Sequence, residues 1–87
     1  MTLNKTFQAL SDPTRRKILD LLKGNDLAAG EIGKHFDIKL PSLSHHLNIL
    51  KQANLVTSER KGQEIIYSLN ISVFEEIAEV LLKFFKK

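Results

Sequence analysis

The sequence predicts a mainly α-helical domain carrying one small β-hairpin. Three observations predict it. Apolar residues recur at helical spacing in five segments, two β-rich runs flank a turn containing one glycine, and Gly and Pro mark the boundaries between segments. At 87 residues the chain is expected to form a single domain over 1–87, with no repeat, linker or low-complexity tract.

A first short helix is predicted near Leu3 to Leu10. Ser11-Asp12-Pro13 then supplies capping side chains followed by proline, which suits a helix start. The helix that follows places Ile18, Leu21 and Leu22 on one face and is expected to stop at Gly24 as a C-cap. A third helix is expected from about Ala28 to Phe36, with Ile32 and Phe36 four apart and two glycines, Gly30 and Gly33, weakening it. The fourth runs to about Ala53, with Pro41 in its first turn, where a missing N–H costs nothing. LVTSER and EIIYSL are β-rich and separated by KGQ, where Gly62 can take the positive φ of a tight hairpin. A last helix begins at about Ser72, with Val73, Ile77, Val80, Leu81 and Phe84 on one side. Phe74, Ala78, Leu82 and Phe85 widen its apolar arc.

This order, ααααββα, is the layout of a winged helix-turn-helix. Residues 28–53 form the helix-turn-helix, joined by the short turn DIK at 37–39. Residues 55–69 form the wing and 72–86 the last helix. A chain of this size buries too little surface to be more than marginal alone, and the absence of cysteine removes disulfides and thiolate metal sites. That directs the expectation to a second subunit, for which the doubly apolar last helix offers a face. No window approaches the roughly 20 apolar residues of a membrane span, and the N-terminus MTLNKTFQAL lacks the layout of a signal peptide. With zero cysteine, the expectation is a cytoplasmic protein.

The net charge is +3 and the isoelectric point about 9.3, a balance that suggests a nucleic-acid partner. Basic residues cluster in RRK (15–17), at Lys39 and Lys51, at Arg60-Lys61 and in the C-terminal tail, while Glu75, Glu76 and Glu79 gather on the last helix. The alternative is a merely solvated surface.

The adjacent histidines at 45 and 46 raise metal binding, acid/base chemistry and DNA contact as possibilities. Each helical residue advances by about 100°, so the two rings point apart and cannot grip one metal, which needs a spacing of three or four. His35 and Glu31 have that spacing but make only two exposed ligands. Ser44 and His45 face different directions, and no nucleophile, base and orienting carboxylate fall together, so no catalytic residues are expected. Leu43, Leu47 and Leu50 define the inner sector, with Leu40, His46 and Ala53 on its flanks. Ser42, Ser44, His45 and Asn48 lie outward, as short polar groups able to meet base edges in a major groove. Lys39 and Lys51 are placed for phosphates. The alternative for these residues is an ordinary polar helix face. His46, beside the leucines, is expected to be half-buried and bonded to backbone.

In the wing, alternation puts Ile65, Tyr67 and Leu69 on the core side. Arg60-Lys61, beside Gly62 and Gln63, form a basic tip suited to the DNA backbone or the minor groove, unless the turn is simply hydrophilic.

ALSDPTRRKILDLL, PSLSHHLNILKQANLV and RKGQEIIYSL, in that order, resemble the ArsR family of bacterial winged-helix repressors. The family pattern is a DPTR-x-x-IL helix, an S-x-H-L recognition helix ending in L-x-x-A/G-x-L-V, and an R-x-G wing followed by Y-x-L. The likeness covers about Ala9 to Leu69 and, within the family, extends to the SdpR-type autorepressor branch. It implies a homodimer on an inverted repeat of double-stranded DNA, held by the first and last helices. Leu3, Phe7, Phe74, Ala78, Leu81, Leu82 and Phe85 are the candidates for that contact. Metal-sensing relatives carry C-x-C where this chain has Ala28 and Gly30, or His and acidic ligands on the last helix, which here lacks His and Cys. No metal or other cofactor is therefore expected. A small polar cap is usual where this chain has Lys39-Leu40. A different class of function, a winged-helix module whose main partner is a protein such as a sequestering receptor, would call for aromatic or Met anchors on the exposed face.

Overall fold

The computed structural model describes residues 3–86; Met1, Thr2 and Lys87, which the expected 1–87 domain includes, lie outside the described residues. In chain order the elements are α1 (Leu3–Leu10), α2 (Pro13–Leu22), β1 (Leu27–Ala28), α3 (Ala29–Gly33), α4 (Leu40–Gln52), β2 (Val56–Lys61), β3 (Glu64–Leu69) and α5 (Ile71–Leu82). The fold is the winged helix-turn-helix that the sequence predicts, with one strand more.

Asp12 caps α2. Its Oδ2 accepts the Arg15 N–H at 3.0 Å, and Pro13 occupies the first turn. The helix ends on Lys23 in αR conformation rather than on a glycine in a left-handed one, so Gly24 is not the C-cap. Ile18, Leu19 and Leu22 are its buried residues. Leu21, expected inside, is only half-buried, because the helix presents Leu19 instead to the groove between itself and α5.

The expected third helix is shorter than 28–36. Ala28 lies in β1, which pairs antiparallel with β3 (Leu27 with Tyr67, Ala28 with Ile66), and this makes a three-stranded sheet ordered β1-β3-β2. The Ala28 N–H donates to Glu31 Oε1 at 3.0 Å, the carboxylate half of a capping box. After Gly33 the chain tightens into i→i−3 bonds, His35 N–H to the Ile32 carbonyl and Phe36 N–H to that of Gly33. The turn of the helix-turn-helix thus occupies 34–39, not only 37–39. A Cβ on Gly33 would meet Leu43 at 3.2 Å, so this glycine lets the two helices approach closely.

Helix α4 starts with Lys39 as N-cap, in extended conformation with no side-chain cap bond, and Pro41 in the first turn. Leu43, Leu47 and Leu50 form the centre of the core with Ile18, Ile32, Leu55 and Val56. The helix ends in a Schellman motif. Leu55 N–H bonds to the Leu50 carbonyl and Asn54 N–H to that of Lys51, each at 3.0 Å, with Asn54 at φ 60. Leu50 and Leu55, both fully buried, supply its apolar contact and launch β2 directly from the core.

Strands β2 and β3 pair from Val56–Leu69 to Lys61–Glu64, leaving Gly62 and Gln63 as a two-residue turn. Gly62 takes φ 64 at the first turn position, where a side chain is disfavoured. Tyr67 and Leu69 pack on the core, but Ile65, expected with them, is 42 % exposed. Register places Ile65 opposite Arg60 near the tip, where the hairpin has passed beyond the helices.

Helix α5 ends at Leu82 rather than at 86. Phe84 and Phe85 continue it only through i→i−3 bonds to the Leu81 and Leu82 carbonyls. Ile77 is buried, and Val73, Phe74 and Val80 are half-buried. Leu81 and Phe84, expected on the inner side, are exposed because α5 runs past the edge of its own core.

Candidate nucleic-acid interface

The fold sets α4 against α1, α2 and β2 by its leucine stripe, which turns the opposite side outward. Lys39, Ser42, Ser44, His45, Asn48 and Lys51 are all exposed, and no hydrogen bond or ion pair engages their side chains. Such a row of unengaged donors and acceptors, on a rigid helix, can meet the edges of base pairs. Arg60, Lys61 and Gln63 are likewise exposed at the wing. Arg60 Nε donates to the Gly62 carbonyl at 3.3 Å, which steadies its stem across the turn while the charge remains in solvent.

His46 lies apart from this row. It is half-buried, as expected, but its partner is a side chain rather than backbone. His46 Nδ1 lies 3.2 Å from Arg15 Nη1 and 3.9 Å from Asp12 Oδ2. Desolvation pushes the Asp12 carboxyl up. The Arg15 N–H bond, the charges of His46 and Arg15 and the Thr14 N–H together outweigh it, so the group sits below its ordinary value of 3.8.

Sequence reasoning missed Arg15 by counting it with a basic cluster. Its Nε donates to the Ala9 carbonyl at 2.8 Å and its Nη2 to the Gln8 carbonyl at 2.9 Å, so one guanidinium joins the end of α1, the start of α2 and the side of α4. Arg16 similarly holds the Leu10 carbonyl, and Lys17 lies 5.1 Å over the Phe36 ring. The RRK cluster is therefore largely structural. A signal was available: the first turn of a capped helix puts position 15 next to the carbonyls that end the preceding helix. Leu40 was also underestimated. Placed on the flank of the leucine sector, it is 71 % exposed at the start of α4, an apolar group of the kind that can meet a thymine methyl.

Among the described residues no three His, Asp or Glu side chains gather as metal ligands. Glu31 is engaged at the Ala28 N–H and His35 lies in the turn beyond α3, so the two do not share a helix face. No helix among the described residues is long and apolar enough to cross a membrane.

A core-anchored second helix with an unengaged polar face, followed by a basic-tipped hairpin, defines a DNA-binding domain of the winged helix-turn-helix class. The chain belongs to the arsR family of bacterial regulatory proteins, whose family model matches residues 12–58. It is 58 % identical to the transcriptional repressor SdpR of Bacillus subtilis, over 98 % of this chain and 94 % of that one. With an arsenical resistance operon repressor of Staphylococcus xylosus it shares 38 % identity, over 91 % of this chain and 76 % of the relative. Among solved structures, an ArsR-like transcriptional regulator from Rhodococcus sp. RHA1 superposes with a TM-score of 0.84 at 32 % identity, covering 94 % of this chain and 77 % of that one. A homodimeric winged helix-turn-helix DNA-binding domain from Mycobacterium bovis does so at 0.75 and 25 % identity, covering 93 % and 78 %. The family is one of transcriptional regulators.

Proposed function

We propose that the protein is a cytoplasmic transcriptional repressor that binds an inverted-repeat operator as a homodimer and needs no metal for binding. Ser42, Ser44, His45 and Asn48 read base edges in the major groove, with Lys39 and Lys51 on phosphates. Arg60, Lys61 and Gln63 hold the flanking backbone. The single observation that carries this reading is the outer face of α4, where every candidate is exposed and free of intramolecular bonds while the opposite face is locked in the core. Homodimerisation is supported by large exposed apolar side chains on α1, on α5 and just beyond it, Leu3, Phe7, Leu81, Leu82 and Phe85 among them, and by the homodimeric relative. Phe74 and Ala78 lie on the same last helix, the first half-buried and the second exposed. A protein partner that removes the repressor from DNA would have to dock elsewhere, since the proposed reading face carries no Trp, Tyr, Phe or Met.

The test is to sequence genomic fragments retained by the purified protein, with and without a chelator. Enrichment of one inverted repeat in both conditions is expected. Failure to enrich any site would sink the repressor reading, and enrichment only without chelator would sink its metal independence.

A further inference from the structure

Leu40, the first residue of α4, is 71 % exposed, and no other leucine or isoleucine among the described residues is as exposed. The next in rank, Ile71 and Leu82, lie on α5, away from the recognition helix. Leu40 stands instead on the side of α4 that faces outward. Residues four apart on an α-helix drift by only about 40° around its axis, so Leu40, Ser44 and Asn48 form one row, and all three are exposed. Lys51, eleven positions after Leu40, falls in the same row. Side chains on a helix lean towards its N-terminus, so Leu40 heads the row at the end by which recognition helices meet base edges. Nothing at that end repels a polyanion. Lys39 precedes Leu40 with no side-chain cap bond, and the first turn carries no acidic residue.

We propose that Leu40 packs against the 5-methyl group of a thymine, which fixes one base pair of each half-site as a pair containing thymine. This rests on the reading of α4 as the helix in the major groove and adds a base-specific contact to it. The chemistry of the groove selects the base. Thymine's methyl is the one apolar group on the major-groove edges of the four base pairs, and the other groups there donate or accept hydrogen bonds. A leucine set against those groups displaces their water and returns no hydrogen bond, which is a net cost. Set against the methyl, it takes apolar surface of both partners out of water, which is a gain. The rest of the reading face lacks this one-sidedness. The hydroxyls of Ser42 and Ser44, the His45 ring and the Asn48 amide each donate and accept, so each can meet more than one base.

Deoxyuridine lacks only that methyl and keeps the pairing of thymidine, so it tests the contact directly. In the inverted repeat enriched by the intact protein, each symmetry-related pair of thymines is replaced in turn by deoxyuridine. Fluorescence anisotropy then gives the Kd of the wild type and of Leu40→Ala on every duplex. Alanine is the best helix former and position 40 is exposed, so the variant is expected to melt as the wild type does. For the wild type, one replaced pair is expected to raise Kd about fifteenfold, about fourfold for each methyl group withdrawn. For Leu40→Ala the same replacement is expected to leave Kd unchanged. Any influence of the methyl on duplex shape acts on both proteins alike and cancels in the comparison. The wild-type arm establishes whether a methyl is read, and the variant assigns that reading to Leu40. Replacements that weaken both proteins equally, or neither, would overturn the thymine contact and leave reading by the polar row in place. Failure to enrich any repeat would overturn both.

Discussion

At the scale of single residues, the two neighbouring histidines differ in surroundings because one helical step of about 100° turns them in different directions. His45 faces solvent in a row with Ser42, Ser44 and Asn48, whereas His46 meets Arg15 and Asp12. His45→Ala is expected to weaken operator binding by about 1–3 kcal/mol with an unchanged melting temperature. Fluorescence anisotropy beside a thermal melt checks it, and undiminished affinity would remove His45 from the contact set. Asp12 has a pH signature. A carboxyl whose folded pKa lies below its unfolded one adds stability that is fully present above the unfolded value and is lost as pH falls through the folded one. The lowered Asp12 therefore stabilises α2 above about pH 4 and ceases to do so in stronger acid. Asp12→Ala is expected to cost about 1 kcal/mol at neutral pH, the usual value of an N-cap. The gap to the wild type should narrow below pH 3.8. Urea unfolding at pH 7 and in acid measures both, and a gap that stays constant would refute the assignment.

Among the elements, α4 and the wing form one mechanical unit. The Schellman end of α4 puts Leu55 into the core and turns the chain at Asn54 straight into β2, so the hairpin is aimed by the same leucines that orient the helix. This explains why the L-x-x-A-x-L-V string reads as a motif. Ala53 is buried, Asn54 accepts the left-handed conformation, and Leu55 and Val56 are both core residues. The tip carries its charge beyond the helices, as the exposure of Ile65 beside Arg60 indicates. Arg60→Ala/Lys61→Ala is expected to weaken binding to specific and non-specific DNA alike, and to make log K fall less steeply with log salt by about two slope units. Titrations at several salt concentrations give the slope, and one identical to the wild type's would place the wing off the DNA.

For the whole molecule, the quantity that matters is symmetry. A monomer of 9.9 kDa with exposed leucines and phenylalanines on its first helix and at the end of its last gains most by pairing them. Two recognition helices related by a two-fold axis then require an operator with the same symmetry. Half-site centres are expected about 10 bp apart, or a multiple of that, because both helices must enter the same side of the duplex. Footprinting an enriched site at protein concentrations spanning the dimer Kd checks this. Occupation of one half-site alone at saturation would show that the protein reads DNA as a monomer.

Features set by local order were legible in the sequence. The inward leucines of α4, the cap at Asp12, the glycine turn of the wing and the exposed polar row follow from helical and strand periods and from the conformations that Asp, Pro and Gly favour. What only the tertiary structure decided is what each direction meets. Leu19 rather than Leu21 is buried, Ala28 joins a third strand, Arg15 bonds the end of α1 and the side of α4, and Phe84 and Phe85 reach past the core. Periodicity gives an angle around an axis, whereas burial and bonding depend on neighbours brought close by chain segments distant in sequence. For that reason the polar outer face of α4 is legible in the sequence, and the partners of Arg15 are not.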